Sequence, residues 1–206
     1  MTAMRSVTAP ADPRVASGHP AESLTDYADL AARYIEGRDF AVEVQQRPSS
    51  TAVVAIHGDP IERGVSRIAR QIAGSDHNLY LLEGRLPALN YEHLHLASSR
   101  FDDPRCLELI ATCDRMVTIH GCNGLEENVL LGGLDEALKA LIAAALAEAG
   151  VPCQTDGHRF PGRQPANICN RGMTGHGVQI ELTDPVREGR LEPLVIAAVR
   201  AALSRP

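Results

Sequence analysis

The sequence contains no tryptophan, a single lysine and few aromatic residues, and these absences limit the classes of protein that it can represent. Aromatic residues make up 3% of the 206 residues, so leucine, isoleucine, valine and alanine must fill the hydrophobic core. Of 20 basic residues only Lys139 is a lysine, and the formal net charge is −6. Proteins that bind nucleic acids typically carry an excess of basic residues. We therefore expect no nucleic-acid partner.

Long apolar runs and signal-like segments are also missing. No stretch approaches the ~18 apolar residues of a membrane-spanning helix, so we expect no membrane partner. Residues 1–22 are rich in alanine, proline, serine and threonine and lack the continuous apolar segment of a secretory signal. We expect residues 1–22 to form a flexible N-terminal segment and residues 23–206 to form one domain. The expected location is the cytoplasm.

Motifs for disulfides, cysteine-bound zinc and nucleotides are absent as well. The five cysteines are odd in number and contain no CxxC pair, so neither a disulfide framework nor a cysteine zinc site is expected. Gly132 and Gly133 precede a helical pattern, but neither GxGxxG nor GxxxxGK[ST] occurs there. We expect reduced thiols and no nucleotide-binding loop.

Short apolar stretches that are typical of strands alternate with amphipathic patterns that are typical of helices. This alternation indicates an α/β fold, a single domain with a mixed, largely parallel sheet flanked by helices. In one of the helices Asp102 or Asp103 is the expected N-cap and Pro104 the first residue. The predicted strands are 40–46, 53–58, 79–83, 116–121 and 177–182, with an alternating segment at 93–97, and the predicted helices are 23–37, 61–73, 102–114, 134–149 and 191–203.

Two of the predicted strands end in the same dipeptide, His-Gly, in VVAIHG (53–58) and MVTIHG (116–121). Ligands of parallel sheets bind beyond the carboxyl ends of the strands, so His57 and His120 can converge there. Glu62 follows His57 by five residues. Two histidines and one carboxylate form the protein ligand set of a catalytic zinc, with a fourth position open for water. We therefore predict one zinc ion held by His57, Glu62 and His120.

Polar residues near the last predicted strand are candidates for catalysis. Glu181 follows Gln179 on one side of GVQIEL (177–182), where it can act as the general base or equally belong to a solvated strand face. Arg171 can stabilise an oxyanion or bind a substrate carboxylate, and Arg187 is a weaker candidate for the same carboxylate.

The pair His93 and His95 occupies one face of the alternating segment, as HxH. Without further aspartate or histidine ligands, HxH is weak support for a second metal ion. We predict instead that His95 lines the substrate pocket as a hydrogen-bonding residue, together with Ser98.

These segments resemble the phage-type poly-γ-glutamate hydrolase family, whose members are similar to compact zinc carboxypeptidases. The resemblance extends from about Tyr27 to Arg187, and several motifs in one order are more specific than any single motif. The motifs are AIHGDPIERG (55–64), LYLLEG (79–84), LHLASSRFDDP (94–104), VTIHGC (117–122), LGGLD (131–135) and NICNRG followed by GVQIEL (167–182).

The resemblance implies a zinc carboxypeptidase-like fold and hydrolysis of γ-glutamyl amide bonds in a capsule polymer. It also implies that His57, Glu62 and His120 hold a single zinc and that Glu181 is the catalytic carboxylate. A phage-encoded member could be released by lysis. The glycine-rich loop of the family is replaced here by Gly58-Asp59-Pro60, and we expect Pro60 to stiffen it and Asp59 to add negative charge near the polymer.

Three functions remain open on the sequence. The first is cleavage of poly-γ-glutamate, a polyanion that arginines along a groove could bind; the arginines considered are Arg63, Arg67, Arg100, Arg163 and Arg171. The second is a zinc hydrolase for small acidic amides, either an N-acyl-amino-acid amidohydrolase or a carboxypeptidase-type peptidase. The third is a polymer-binding domain without catalysis, which would have no need of the general base Glu181.

Overall fold

Seven strands form one mixed sheet within residues 23–205, the part of the chain that the computed structural model describes. The order across the sheet is β1-β3-β2-β4-β7-β5-β6. Strands β3, β2, β4 and β7 are parallel neighbours, and β1 and β5 pair antiparallel to them at either side. The strands are β1 (Phe40–Gln45), β2 (Thr51–Gly58), β3 (Asn78–Gly84), β4 (Arg115–Cys122), β5 (Val129–Gly133), β6 (Cys153–Gln154) and β7 (Val178–Thr183).

Helices cover both faces of this sheet, and the cap predicted for one of them is present. The Asp103 carboxylate accepts a hydrogen bond from the Arg105 backbone N–H, and Pro104 opens the helix. Asp135 caps another helix by accepting from the Leu138 N–H. The helices are α1 (Tyr27–Arg33), α2 (Val65–Ala73), α3 (Asn90–Leu94), α4 (Pro104–Ile110), α5 (Glu136–Glu148), α6 (Asp184–Arg187) and α7 (Glu192–Leu203).

Each face of the sheet buries its own hydrophobic cluster. Val53 of β2, Val117 of β4 and Val178 of β7 lie on the face that α2, α5 and α7 cover. Met116 of β4 belongs to the second cluster, on the opposite face, together with Phe101. A parallel sheet that is buried on both faces must place its polar groups at the strand ends. The carboxyl ends of β2, β4 and β7 are therefore where a functional site can form.

The prediction of an α/β domain with a mixed, largely parallel sheet is confirmed. The segment 93–97 was wrongly predicted to alternate like a strand: α3 ends at Leu94, and His95 is its extended C-cap residue. His93 and His95 therefore do not share a strand face. Strands β5 and β6 were not predicted. The expectation of flexibility for residues 1–22 concerns residues outside the described part.

None of the helices within residues 23–205 has both the length and the apolar character needed to cross a membrane. All five cysteines lie in this part of the chain, and all are free thiols. Cys106, Cys113, Cys122 and Cys169 are buried among other side chains. They behave as small core residues.

Candidate active site

Strand register brings His120 and Glu181 next to each other. β4 and β7 are parallel, and His120 is the Cα partner of Glu181 across the pair. Partners in register point to the same side of a sheet, so the imidazole and the carboxylate share one face. Val178 and Ile180 of β7 lie in the core on the other face, as the alternation predicted. Both polar side chains are at least 95% buried.

The position of His57 depends on an irregularity in β2. Val53 is paired with Val117 and Val54 with Thr118, so a regular β2 would turn His57 away from the face that His120 occupies. The register between β2 and β3 shifts between Ala55 and Gly58, and the His57 imidazole lies on the same side as His120. Bulges of this kind commonly redirect side chains beside functional sites.

His57, Glu62 and His120 meet at distances that suit a metal ion. Nδ1 of His57 lies 3.0 Å from Oε1 of Glu62 and 3.3 Å from Nδ1 of His120. Nδ1 of His120 lies 3.7 Å from Oε2 of Glu62. Ligand atoms about 2.1 Å from a tetrahedral zinc ion are about 3.4 Å apart from one another. The three side chains therefore fit three corners of such a site.

The protonation of His57 is determined by its surroundings. Nε2 of His57 lies 2.9 Å from the Leu96 carbonyl oxygen, which can only accept, so Nε2 carries the proton. Complete burial lowers the His57 pKa to about 4, against the opposing effect of Glu62, so the ring is neutral at neutral pH. Nδ1 is then a bare lone pair that faces a carboxylate oxygen. Two acceptors at this distance are stable with either a proton or a metal cation between them, and Nδ1 is free to bind a metal.

Carboxylate charge surrounds these histidines, as is expected at a site for a cation. Burial favours the neutral form of Glu62, but His57, His120 and His95 outweigh it and hold the Glu62 pKa well below its usual value. The backbone N–H of Gly121 also donates to Oε2 of Glu62 at 2.7 Å. Burial disfavours charge on His120, yet the hydrogen bond to Glu62 and the charges of Glu181 and Glu62 raise its pKa. Nε2 of His120 is buried and has no hydrogen-bond partner within residues 23–205.

His95 lies beside this cluster and forms an alternative triplet with His57 and Glu62. Its Nε2 is 3.6 Å from Oε1 of Glu62. However, its ring stacks on His57 with centroids 3.9 Å apart and only 24° between the planes. Lone pairs in two nearly parallel planes do not converge on one ion at bonding distance. The rings of His57 and His120 are inclined by 64°, which does allow convergence. We therefore favour His120 as the third ligand.

Glu181 is the remaining carboxylate at the centre of the site. Burial raises the Glu181 pKa, and Glu62 raises it further, against the effects of His120, His95 and Arg159. One oxygen, Oε1, accepts a hydrogen bond of 3.0 Å from Nε2 of Gln179. A carboxylate with a raised pKa beside a cation site is suited to general acid–base catalysis.

These groups open into a cleft of about 1100 Å³. His95 and Ser98 line it, together with Tyr91, whose half-exposed ring lies 4.5 Å from that of His95. A loop at 159–165 forms a second wall of the cleft. Backbone contacts hold this wall in place: the Gly133 N–H donates to the Pro161 carbonyl at 2.9 Å.

The candidate substrate-binding arginines are divided between the cleft and its surroundings. Arg187 reaches the cleft but is buried, and it donates to the carbonyls of Arg63 and Cys122 and to Asp184. Arg171 lies outside the cleft lining, where it donates to the Phe101 carbonyl at 3.1 Å. The structure therefore does not bring Arg171 to the other candidate residues.

The proposed groove arginines are divided in the same way. Arg63 and Arg163 line the cleft, whereas Arg67 pairs with Glu192 and Arg100 donates to the Leu24 carbonyl. Sequence reasoning missed Arg159, which lies on the loop wall within electrostatic range of Glu181.

The departure at Asp59-Pro60 has a structural explanation. The Asp59 carboxylate accepts hydrogen bonds from the N–H groups of Gly64 (2.6 Å) and Ser66 (3.1 Å) at the start of α2. Asp59 does not line the cleft, although its neighbour Pro60 does. Asp59 instead fixes the loop that carries Glu62.

Sequence reasoning also missed three cleft residues: Tyr91, Asn167 and Gln179. Gln179 could have been found, because it precedes Glu181 by two residues and must share its side of the strand. No local pattern marks Tyr91, which precedes the segment 93–97 and was assigned to no predicted element. Asn167 reaches the site through the fold of a loop.

Comparison with known proteins supplies the family. YndL of Bacillus subtilis (strain 168), a UPF0714 protein, is 33% identical over 73% of this chain, and the match spans 60% of YndL. A solved bacteriophage poly-gamma-glutamate hydrolase superposes with a TM-score of 0.80 at 26% identity, covering 86% of this chain and 94% of that one. A zinc-free YndL structure gives 0.81 at 27% identity over 89% of this chain and 98% of that one.

The family model described as poly-gamma-glutamate hydrolase matches residues 24–198. That range contains the whole cluster at the carboxyl ends of β2, β4 and β7. The resemblance read from the sequence motifs is thereby confirmed, and this chain belongs to the poly-gamma-glutamate hydrolase family.

Proposed function

We propose that this protein is a zinc-dependent amidohydrolase that cleaves the γ-glutamyl amide bonds of poly-γ-glutamate. The observation that carries the proposal is the convergence of Nδ1 of His57, Nδ1 of His120 and the Glu62 carboxylate, 3.0 to 3.7 Å apart in a buried site. Zinc is supported by the ligand types and their spacing, and by the zinc-free form in which the relative YndL is known. The substrate is supported by membership of the family.

In this proposal, His57, Glu62 and His120 hold the zinc ion. Bound there, zinc would act as a Lewis acid on the scissile carbonyl and favour ionisation of the attacking water. Glu181 accepts the proton that this water loses as its oxygen bonds to the carbonyl carbon. When the carbon–nitrogen bond breaks, Glu181 returns the proton to the departing amine.

Other cleft residues bind the polymer. His95 and Ser98 line the same cleft as the reacting groups, and the exposed side chains of Arg159 and Arg163 offer cations to the free carboxylates of γ-glutamyl units. The buried Arg187 guanidinium donates hydrogen bonds to the backbone carbonyl of Arg63, which follows Glu62, and to that of Cys122, two residues after His120. It stabilises the arrangement of these two chain segments.

The test is zinc content measured together with amine release from poly-γ-glutamate. Glu181→Gln keeps the shape of the site but removes the proton acceptor. We expect it to retain one zinc ion and to lose amine release by about 100-fold or more, the range of general acid–base catalysis. Glu108→Gln, on the exposed side of α4, is the matched control and keeps full activity.

Wild-type protein that binds no zinc after reconstitution would contradict the metal site. Protein that binds zinc and polymer but releases no amine would support the binding-domain alternative. Hydrolysis of short acyl-amino acids with none of the polymer would support the small-substrate alternative.

A further inference from the structure

Two buried amide side chains connect Glu181 to the loop before β7. Gln179 and Asn167 are 5% and 8% exposed, respectively. Nδ2 of Asn167 donates to Oε1 of Gln179 at 2.8 Å, and Nε2 of Gln179 donates to Oε1 of Glu181 at 3.0 Å. The two amides and the carboxylate therefore form a continuous chain of hydrogen bonds.

The direction of this chain is determined at its far end. Oδ1 of Asn167 accepts a hydrogen bond of 3.1 Å from the backbone N–H of Cys169, at the start of a 3₁₀ turn (Ile168–Asn170). A backbone N–H can only donate, so the Asn167 oxygen must face it and the Asn167 nitrogen must face Gln179. Gln179 must then present its oxygen to Asn167 and its nitrogen to Glu181.

This polarity has a consequence for the carboxylate. Oε1 of Glu181 receives an N–H of Gln179, which has no capacity to accept a proton. The amide occupies one lone pair of Oε1, so protonation is favoured on the other oxygen, Oε2, which this hydrogen bond leaves free. The amide donor also carries no charge. Unlike an arginine in the same place, it restrains the carboxylate without forming an ion pair.

Resting on the proposed function, we propose that Asn167 and Gln179 are positioning residues for the general base. They hold Oε1 of Glu181 and leave Oε2 as the oxygen that exchanges a proton with water and with the leaving amine. The two residues act through Glu181 and need no contact with the reacting bond.

The first test removes the amide of Gln179 that donates to Glu181, or reverses the orientation of that amide. Gln179→Met has nearly the same shape but cannot donate, and Asn167→Asp replaces the nitrogen that faces Gln179 with an oxygen. The Gln179 amide must then rotate and turn its own oxygen towards Glu181. In both variants we expect kcat to fall by about 10- to 100-fold, the usual cost of losing an outer-shell partner, with KM and zinc content unchanged.

A control and a double variant separate this effect from charge and from loss of folding. Gln71→Glu adds the same charge at an exposed position of α2, outside both the cleft lining and the hydrogen-bond chain. Asn167→Asp should lower kcat in the wild type but cause little further loss in Gln179→Met, because its effect passes through the Gln179 amide. Additive losses, or an equal loss in Gln71→Glu, would overturn the proposal.

A second measurement needs no catalysis. In metal-free protein labelled with ¹⁵N, the Gln179 side-chain amide resonance can be assigned by its absence in Gln179→Met. We expect it to shift in Glu181→Gln and Asn167→Asp but not in Gln71→Glu. An unchanged resonance in Glu181→Gln would show that the hydrogen bond is absent. Failure of the wild type to release amines would contradict only the proposed function.

Discussion

The two walls of the cleft are constructed differently. The strand wall consists of the ends of β2, β4 and β7 and carries His57, His120 and Glu181, all at least 95% buried. The loop wall, residues 159–165, is mostly exposed and is held by backbone hydrogen bonds, such as that from the Gly133 N–H to the Pro161 carbonyl. One wall fixes side chains, whereas the other fixes a backbone from which side chains extend into solvent.

This difference matches what each wall has to do. A metal ion and a proton transfer tolerate little displacement, and rigid strands hold such groups more precisely than loops. Binding a flexible polymer needs charge near the cleft but no single geometry, and exposed arginines on a loop can supply it. Substitutions on the strand wall should therefore impair zinc binding and catalysis, whereas substitutions on the loop wall should mainly raise the KM for the polymer.

Removing a zinc-binding side chain from the strand wall should have the largest effect on activity. His120→Ala removes a buried ligand, so we expect zinc affinity to fall by more than the roughly 100-fold that the loss of an outer-shell partner costs. Amine release should be lost with the metal. Metal titration and activity assays measure both effects. His176→Ala, at an exposed loop position, is the matched control and should bind zinc as the wild type does.

Displacing the loop wall should have the next largest effect. An added Cβ at Gly132 would lie 2.5 Å from the Phe160 carbonyl oxygen and 2.7 Å from that of Pro161. Both contacts are with backbone, so Gly132→Ala must move the loop, at about 1–3 kcal/mol of unfolding free energy, as overpacking generally costs. Thermal denaturation measures this loss. We expect KM to rise and zinc content to stay constant; loss of zinc would contradict the independence of the walls.

Removing one charge from the loop wall should have a smaller effect. Arg159→Gln should raise the KM for poly-γ-glutamate by about two- to fivefold, as expected for an exposed ion pair. Arg171→Gln makes the same change outside the cleft and should leave KM unchanged. Because salt screens exposed charges, high ionic strength should remove the difference between Arg159→Gln and the wild type. A larger effect of Arg171→Gln would reverse this assignment.

The smallest expected effect is a shift in the pH dependence of kcat/KM, because Arg159 on the loop wall influences the pKa of Glu181 on the strand wall. Glu181 must be ionised to accept a proton, and burial raises its pKa, so kcat/KM should fall on acidification at a higher pH than an ordinary glutamate would give. Arg159 opposes this shift. Arg159→Gln should therefore move the acidic midpoint slightly upward. A pH profile of kcat/KM measures the shift, and a downward movement would contradict the electrostatic contact.

Most of the fold could be predicted from local patterns. Long apolar runs such as those of β2 and β4 fit only a sheet that is buried on both faces. The five-residue strand β5 was missed, since it ends in two glycines that resemble a loop before α5. The two-residue strand β6 was missed as well, because so short a strand has no periodicity of its own. Both strands form because they pair with strands that are distant in the sequence.

By itself, the sequence determined which chemical groups end the central strands: the His-Gly ends of β2 and β4, Glu62 five residues later, and Glu181 on the polar side of β7. Only the tertiary structure decided that the irregular end of β2 turns His57 towards His120, that Arg159 rather than Arg171 lines the cleft, and that Asp59 caps α2. The physical reason is that residue types and alternation are local properties. Register, bulges and the path of a loop depend on contacts between residues far apart in the chain.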